Sequence, residues 1–276
     1  LPAFQAVNAL LDAGQPVYRL DQPLISQGIP LEPGSFVIEP DFRLLNTLVD
    51  QYALDLVALA SFPAEATLLS KPALAVSADP GTIHALQTLG FDFDRITAQE
   101  INSGAITGYD TYLNLSQPWS GISQPGRQAL AQFFAAGGDY LGVGSTGADF
   151  ALQAGVIDLT LNTASGNAIV KVEYPLGDYA RAGFPTQDYA FVYSPLWFSD
   201  LASDLQTAAN LAGADFLVSG YWPGWNTSGA ANMPVIVHTP FAQLNDITLV
   251  GLDLTFRGHP ENTFRLIGNL ILAGGD

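Results

Sequence analysis

The sequence predicts an α/β protein with a mainly parallel sheet and flanking helices, preceded by a small α/β unit. Three observations carry this. From Pro72 onward, apolar runs of strand length alternate with helical segments, the pattern of βα units. Between Tyr109 and Gly155, a strand breaks into Gly142-Val143-Gly144-Ser145-Thr146-Gly147 and runs straight into a helix. Such a sharp turn is where many α/β enzymes seat a nucleophile. Hydrophobic residues make up 48% and charged residues 13% of the 276, enough for a core and too few charges for a disordered or coiled-coil chain.

In chain order, FQAVNALLDA has helical periodicity and Gly14 is placed to stop it. PVYRL reads as a strand, and QGIPLEPGSFVIEP as two short strands around the turn Glu32-Pro33-Gly34. FRLLNTLVDQYAL carries apolar residues at Leu44, Leu45, Leu48, Val49 and Tyr52, a helical face, and LVALA reads as a further strand. SFPAEATLLSKP is the best linker segment. We therefore divide the chain into a bridging unit over 1–70 and an α/β domain over 71–276. In the second part ALAVS, FDRITA and YDTYLNL are strands, with helices at GTIHALQTLGF and AQEINSGA. GRQALAQFFAAGG is a helix before the glycine-rich turn. DLTLNTASGNAIVKVEY reads as two strands joined at Ser165-Gly166-Asn167. FLVSGYW, PVIVHTP and ITLVGLDLTF are strands, and TFRLIGNLILA is a closing helix.

Composition narrows function. Twenty-six acids against nine bases give a formal charge of −17, which repels phosphate backbones and anionic membranes and excludes nucleic acid as a partner class. Zero cysteines exclude disulfides and thiolate metal sites. No apolar run reaches the ~20 residues of a membrane span. The chain opens on LPAFQAVNALLDAG, without an initiator Met or a basic signal segment, as expected of a mature or excised fragment. His84, His238 and His259 are far apart, and no H-E-x-x-H occurs, so no metal site is expected within the chain. Asp92/Asp94 and Asp200/Asp204 lack calcium-loop spacing and read as solvated carboxylates. Gly142, Gly144 and Gly147 formally fit G-x-G-x-x-G, but this turn comes too late in the chain for a dinucleotide site. Trp222 and Trp225, beside Pro223 and Gly224, form either a stacking platform or a cover over the sheet.

HALQTLGFDFDRITAQE, YDTYLNL, FFAAGGDYLGVGSTGADFALQAG and GLDLTFRGHPENTFRLIGNLIL, in this order, resemble the class I glutamine amidotransferase-like fold, a flavodoxin-like layered structure. More narrowly, the chain is similar to the C-terminal domain of some bacterial zinc carboxypeptidases of the carboxypeptidase A-like class. NALLDAGQPVYRL and LEPGSFVIEP are similar to the segment preceding that domain. The resemblance implies a bacterial extracellular or cell-surface protein whose partner is an upstream peptidase domain, with zinc only in that domain and no cofactor here. In the amidotransferase family a Cys on the elbow pairs with a His followed two positions later by Glu. This chain has Gly144 or Ser145 in place of that Cys, and His259-Pro260-Glu261 in the closing segment. Without a thiolate, glutamine hydrolysis in the family's manner cannot run.

Three functions follow. The leading expectation is a non-catalytic accessory or interaction domain. The second is a serine hydrolase with Ser145 as nucleophile, His259 as base and Glu261 as its orienter. Against it, the spacing misses G-x-S-x-G around Ser145, and Ser145 or Thr146 serves equally as a helix cap. The third is a module that binds a small molecule, peptide or carbohydrate, with Gly144, Trp222, Trp225 and Arg257 as binding candidates.

Overall fold

Short apolar runs between helices bury strands on both faces, and here they place five strands side by side in parallel. The computed structural model describes residues 1–39, 42–240 and 245–273. The first helix, α1 (Pro2–Asp12), is followed by β1 (Val17–Leu20), β2 (Leu24–Ser26), β3 (Ile29–Leu31), β4 (Phe36–Ile38), α2 (Phe42–Tyr52) and β5 (Ala66–Leu68). β1 lies between β4 and β5, antiparallel to both, while β2 and β3 form a separate hairpin.

The main sheet is built from β6 (Leu74–Ser77), β7 (Asp94–Arg95), β8 (Thr111–Asn114) and β9 (Asp139–Val143), with α3 (Pro80–Leu89), α4 (Ala98–Asn102) and α5 (Gln124–Ala135) between them. After α6 (Gly144–Ala154) come eight strands: β10 (Thr160–Thr163), β11 (Asn167–Glu173), β12 (Gln187–Tyr193), β13 (Leu196–Ser199), β14 (Gln206–Leu211), β15 (Leu217–Tyr221), β16 (Pro234–His238) and β17 (Ile247–Val250). The helix α7 (Glu261–Ile271) follows. The described residues form a ten-stranded sheet in the order β12-β11-β14-β16-β17-β9-β8-β6-β7, with β15 beside β11. β17, β9, β8, β6 and β7 are parallel. Numbered in order of appearance, they run 2-1-3-4-5 from β7, the flavodoxin-like order. The expected α/β class, parallel centre and flanking helices are therefore present, and an antiparallel half extends the sheet beyond β17.

Several local expectations are corrected. LVALA is irregular, and the strand beside β1 is Ala66–Leu68, inside the segment read as a linker. The strands flanking Ser165-Gly166-Asn167 do not pair: β10 joins β13, and β11 joins β12. At Gly166 a Cβ would lie 2.3 Å from the Tyr221 carbonyl, so glycine lets the chain pass close to β15 as it changes sheets. ITLVGLDLTF leaves the sheet after Val250, and β2, β12, β13 and β14 were not anticipated. Pro40, at the end of the predicted second strand, lies outside the described residues.

Residues 1–70 share a core with the rest. Phe4, Val7 and Leu10 of α1 belong to one buried cluster with Leu86, Leu89, Phe264 and Ile267. Arg19, 6% exposed, donates from Nη1 to the carbonyls of Leu272 (2.6 Å) and Ala273 (2.7 Å) and lies 4.0 Å from the centre of the Tyr179 ring. A cation at a helix C-terminus satisfies orphan carbonyls and opposes the dipole.

Candidate functional site

The parallel strands end together on one edge, and the loops leaving them enclose a hollow of about 250 Å³. Asp79 follows β6, Leu115 follows β8, and Val143 to Thr146 form the turn from β9 into α6. Gly251, Asp253, Thr255 and Phe256 follow β17, while Tyr193, Ser194 and Leu196 close the side toward the antiparallel half. In a 2-1-3-4-5 sheet the order reverses between the first and third strands, here β6 and β8, and ligands bind outside the carboxyl ends there.

Glycine makes the elbow possible. Gly144 has φ +67, the left-handed turn that redirects the chain into α6, and a Cβ there would meet nothing within 4 Å. Gly147 is required by crowding: a Cβ there would lie 2.4 Å from the Asn114 carbonyl and 2.9 Å from Gly142 Cα. Gly142 and Gly147 thus let α6 sit flush on β8 and β9, which accounts for the glycine spacing by packing. Beneath the turn, Tyr140 Oη donates to the Gly147 carbonyl (2.8 Å) and accepts from Asn114 Nδ2 (3.0 Å). Burial pushes the Tyr140 and Tyr112 phenols up, so both stay neutral hydrogen-bonding groups.

The residue at the sharp turn is Gly144, and Ser145 lies one position into the helix with its side chain exposed. Neither Ser145 nor Thr146 caps α6; the N-cap is Val143, with no side-chain hydrogen bond. His259 and Glu261 are exposed at the start of α7 and do not line the hollow. Among the described residues no hydrogen bond joins Ser145 to His259 or the His259 ring to the Glu261 carboxylate. Arg257, at φ +53, is exposed with its guanidinium 5.1 Å from the Phe256 ring centre. Trp222 is 3% exposed, packed against Trp197 and Phe216, and the half-buried Trp225 meets Phe216 edge-on. The structure therefore brings Gly144 and Ser145 to the hollow and leaves Trp222, Trp225, Arg257, His259 and Glu261 outside its lining.

What the sequence reading missed is a pair of acids. Asp79 Oδ1 accepts from the Thr82 amide and caps α3 (2.9 Å). Asp253 accepts from the Tyr193 amide. Burial raises the Asp253 carboxyl to about 6; the Tyr193 amide pulls it down and the Asp79 charge pushes it further up. Asp79-Pro80-Gly81 was readable as a helix start after a strand. Nothing local marks Asp253, because the hollow brings it within the same lining as Asp79 only through the crossover topology.

The other histidines have structural settings. His238 is fully buried, with Nδ1 2.7 Å from the Thr239 carbonyl and Nε2 3.0 Å from Asp178 Oδ2. His84 is exposed and packs edge-on against Phe264. Among the described residues no group of three or more His, Cys, Asp or Glu side chains is placed to hold a metal, and no helix is long and apolar enough to cross a membrane.

No protein-family model and no curated protein matches the sequence. Among solved structures, the chain is similar to a Thermoplasma acidophilum protein described as a GMP synthase subunit, with TM-score 0.49 and 13% identity over 72% of this chain and 93% of that one. It is similar to a Thermotoga maritima glutamine amidotransferase, with TM-score 0.45 and 9% identity over 72% and 95% of the two chains. A further glutamine amidotransferase gives TM-score 0.46 and 11% identity over 71% and 98%. These likenesses concern the layering of the chain and not its site.

Proposed function

We propose that this chain is a non-catalytic accessory domain of a larger protein, one that keeps an enzyme-like elbow without a nucleophile at its apex. The observation that carries this is Gly144. The backbone adopts the left-handed turn that would hold a nucleophile, and the residue there has no side chain. Catalysis by Ser145 would need a base within about 2.6–3.2 Å, itself oriented by a third group. His259, exposed and outside the hollow, supplies no such contact. The larger protein is, on this reading, a bacterial zinc carboxypeptidase. Its support is the order of sequence segments, and its metal chemistry would reside in residues other than these. The unit over 1–70, packed on α3 and α7, would join the peptidase part to the α/β domain.

The test is turnover. The purified chain should release no ammonia from glutamine and no p-nitrophenol from short-chain esters above the buffer rate, and Ser145→Ala should change neither. Saturable ester hydrolysis that Ser145→Ala and His259→Ala both abolish would replace this reading with the serine hydrolase.

A further inference from the structure

The fold contains a second and larger hollow, far from the elbow in sequence, of about 1000 Å³. Its walls include Phe4 and Leu10 of α1, Phe36 of β4, Leu48 of α2, and Leu56 and Phe62 of the irregular run after α2. Leu56 and Phe62 are 51% and 46% exposed, so the hollow has an apolar lip open to solvent. Ligand sites are commonly hollows of roughly this size, apolar apart from a few placed polar groups. Apolar walls give water few hydrogen-bond partners and favour an apolar guest.

Ser35, Ser61, Asn269 and Arg265 place polar groups among these walls. Arg265, on α7, is the cationic side chain among the described lining residues. Its Nη1 donates to the Gly183 carbonyl, and its guanidinium carbon lies 5.3 Å from the Phe184 ring centre. A guanidinium carries five N–H donors, so donors beyond the one that meets Gly183 remain for a bound anion. Glu39 and Asp55 also border the hollow, but both are exposed and stay hydrated.

We infer that this hollow binds a single-chain amphiphile with an anionic head, a long-chain carboxylic acid. Its hydrocarbon body lies against Phe4, Leu10, Phe36 and Leu48, and its carboxylate accepts from the Arg265 guanidinium. The charge fixes which end of the ligand meets α7. The inference is independent of the elbow, so it stands or falls apart from the absence of turnover there.

The experiment is a calorimetric titration of the delipidated chain with dodecanoate and with dodecanol, each below its aggregation concentration. Dodecanoate should bind saturably at one site per chain. Arg265→Gln should weaken dodecanoate about tenfold, the scale of one charge-assisted hydrogen bond, and leave dodecanol unchanged. Leu56→Trp, at the half-exposed lip, should narrow the mouth of the hollow and weaken both ligands while leaving the thermal melt in place. No saturable dodecanoate binding would overturn the inference. So would equal weakening of acid and alcohol by Arg265→Gln, or unchanged binding to the Leu56→Trp chain.

Discussion

Asp253 shows what burial costs one carboxyl. Folding moves it from the ordinary 3.8 to about 6, chiefly because the hollow removes water from its charged form. Between these values the folded chain holds a proton that the unfolded chain releases. Stability therefore falls as pH rises through that window, and the cost is complete above it. The shift corresponds to about 3 kcal/mol at most. Asp253→Asn should raise stability at pH 8 by up to that amount and leave it nearly unchanged at about pH 2.5, because the aspartate is then neutral in both states. Urea unfolding at the two pH values measures the difference; an equal gain at both would mean that the charge is not responsible. Trp222 illustrates the opposite limit of local reading. Its neighbours Pro223 and Gly224 fit a platform and a cover equally well, and the cover is decided by Trp197, on β13, which encloses its ring together with Phe216, six positions before it.

At the scale of elements, the passage from β9 into α6 separates two uses of glycine that are indistinguishable in sequence. Gly144 is needed for its dihedral angle and Gly147 for its missing Cβ. Gly144→Ala should cost about 1 kcal/mol, the penalty of an L-residue in the left-handed region. Gly147→Ala should cost about 3 kcal/mol, because the methyl meets fixed backbone of β8 and β9. Thermal melts of the two variants test the ranking, and the reverse order would contradict the packing account. Elements with strong periodicity and clear stops were legible: α1 before Gly14, α3 between Asp79 and Gly90, α5, and the β9-to-α6 passage. Elements whose identity depends on a distant partner were not. LVALA has the composition of a strand but joins no strand among the described residues, its Ala58 carbonyl accepting instead from the Ser26 and Gln27 side chains, while Ala66–Leu68 hides among Pro, Ser and Glu and pairs with β1. The strand that begins at Ile247 ends at Val250, and beyond it the Gly251 amide donates to the Val235 carbonyl (2.7 Å) and the Asp253 amide to that of Phe191 (3.1 Å).

At the scale of the molecule, the parallel order was legible because alternating strands and helices leave few alternatives. The hollow's acids were not, since Asp79 and Asp253 are 174 positions apart and only the crossovers bring them to one edge. The same long-range closure ties the first seventy residues to the last helix. Arg19 holds the final carbonyls of α7, Asn8 Nδ2 donates to the Leu89 carbonyl (3.0 Å), and Arg181 Nη1 meets Glu32 Oε2 (2.7 Å). None of these bonds passes through the irregular stretch after α2. A protease that nicks the backbone near Leu56 should therefore split the polypeptide on a denaturing gel yet leave one particle of unchanged size in gel filtration. Release of the smaller piece would mean that the guanidinium clasp and the helix beside it are too weak to outlast the cut.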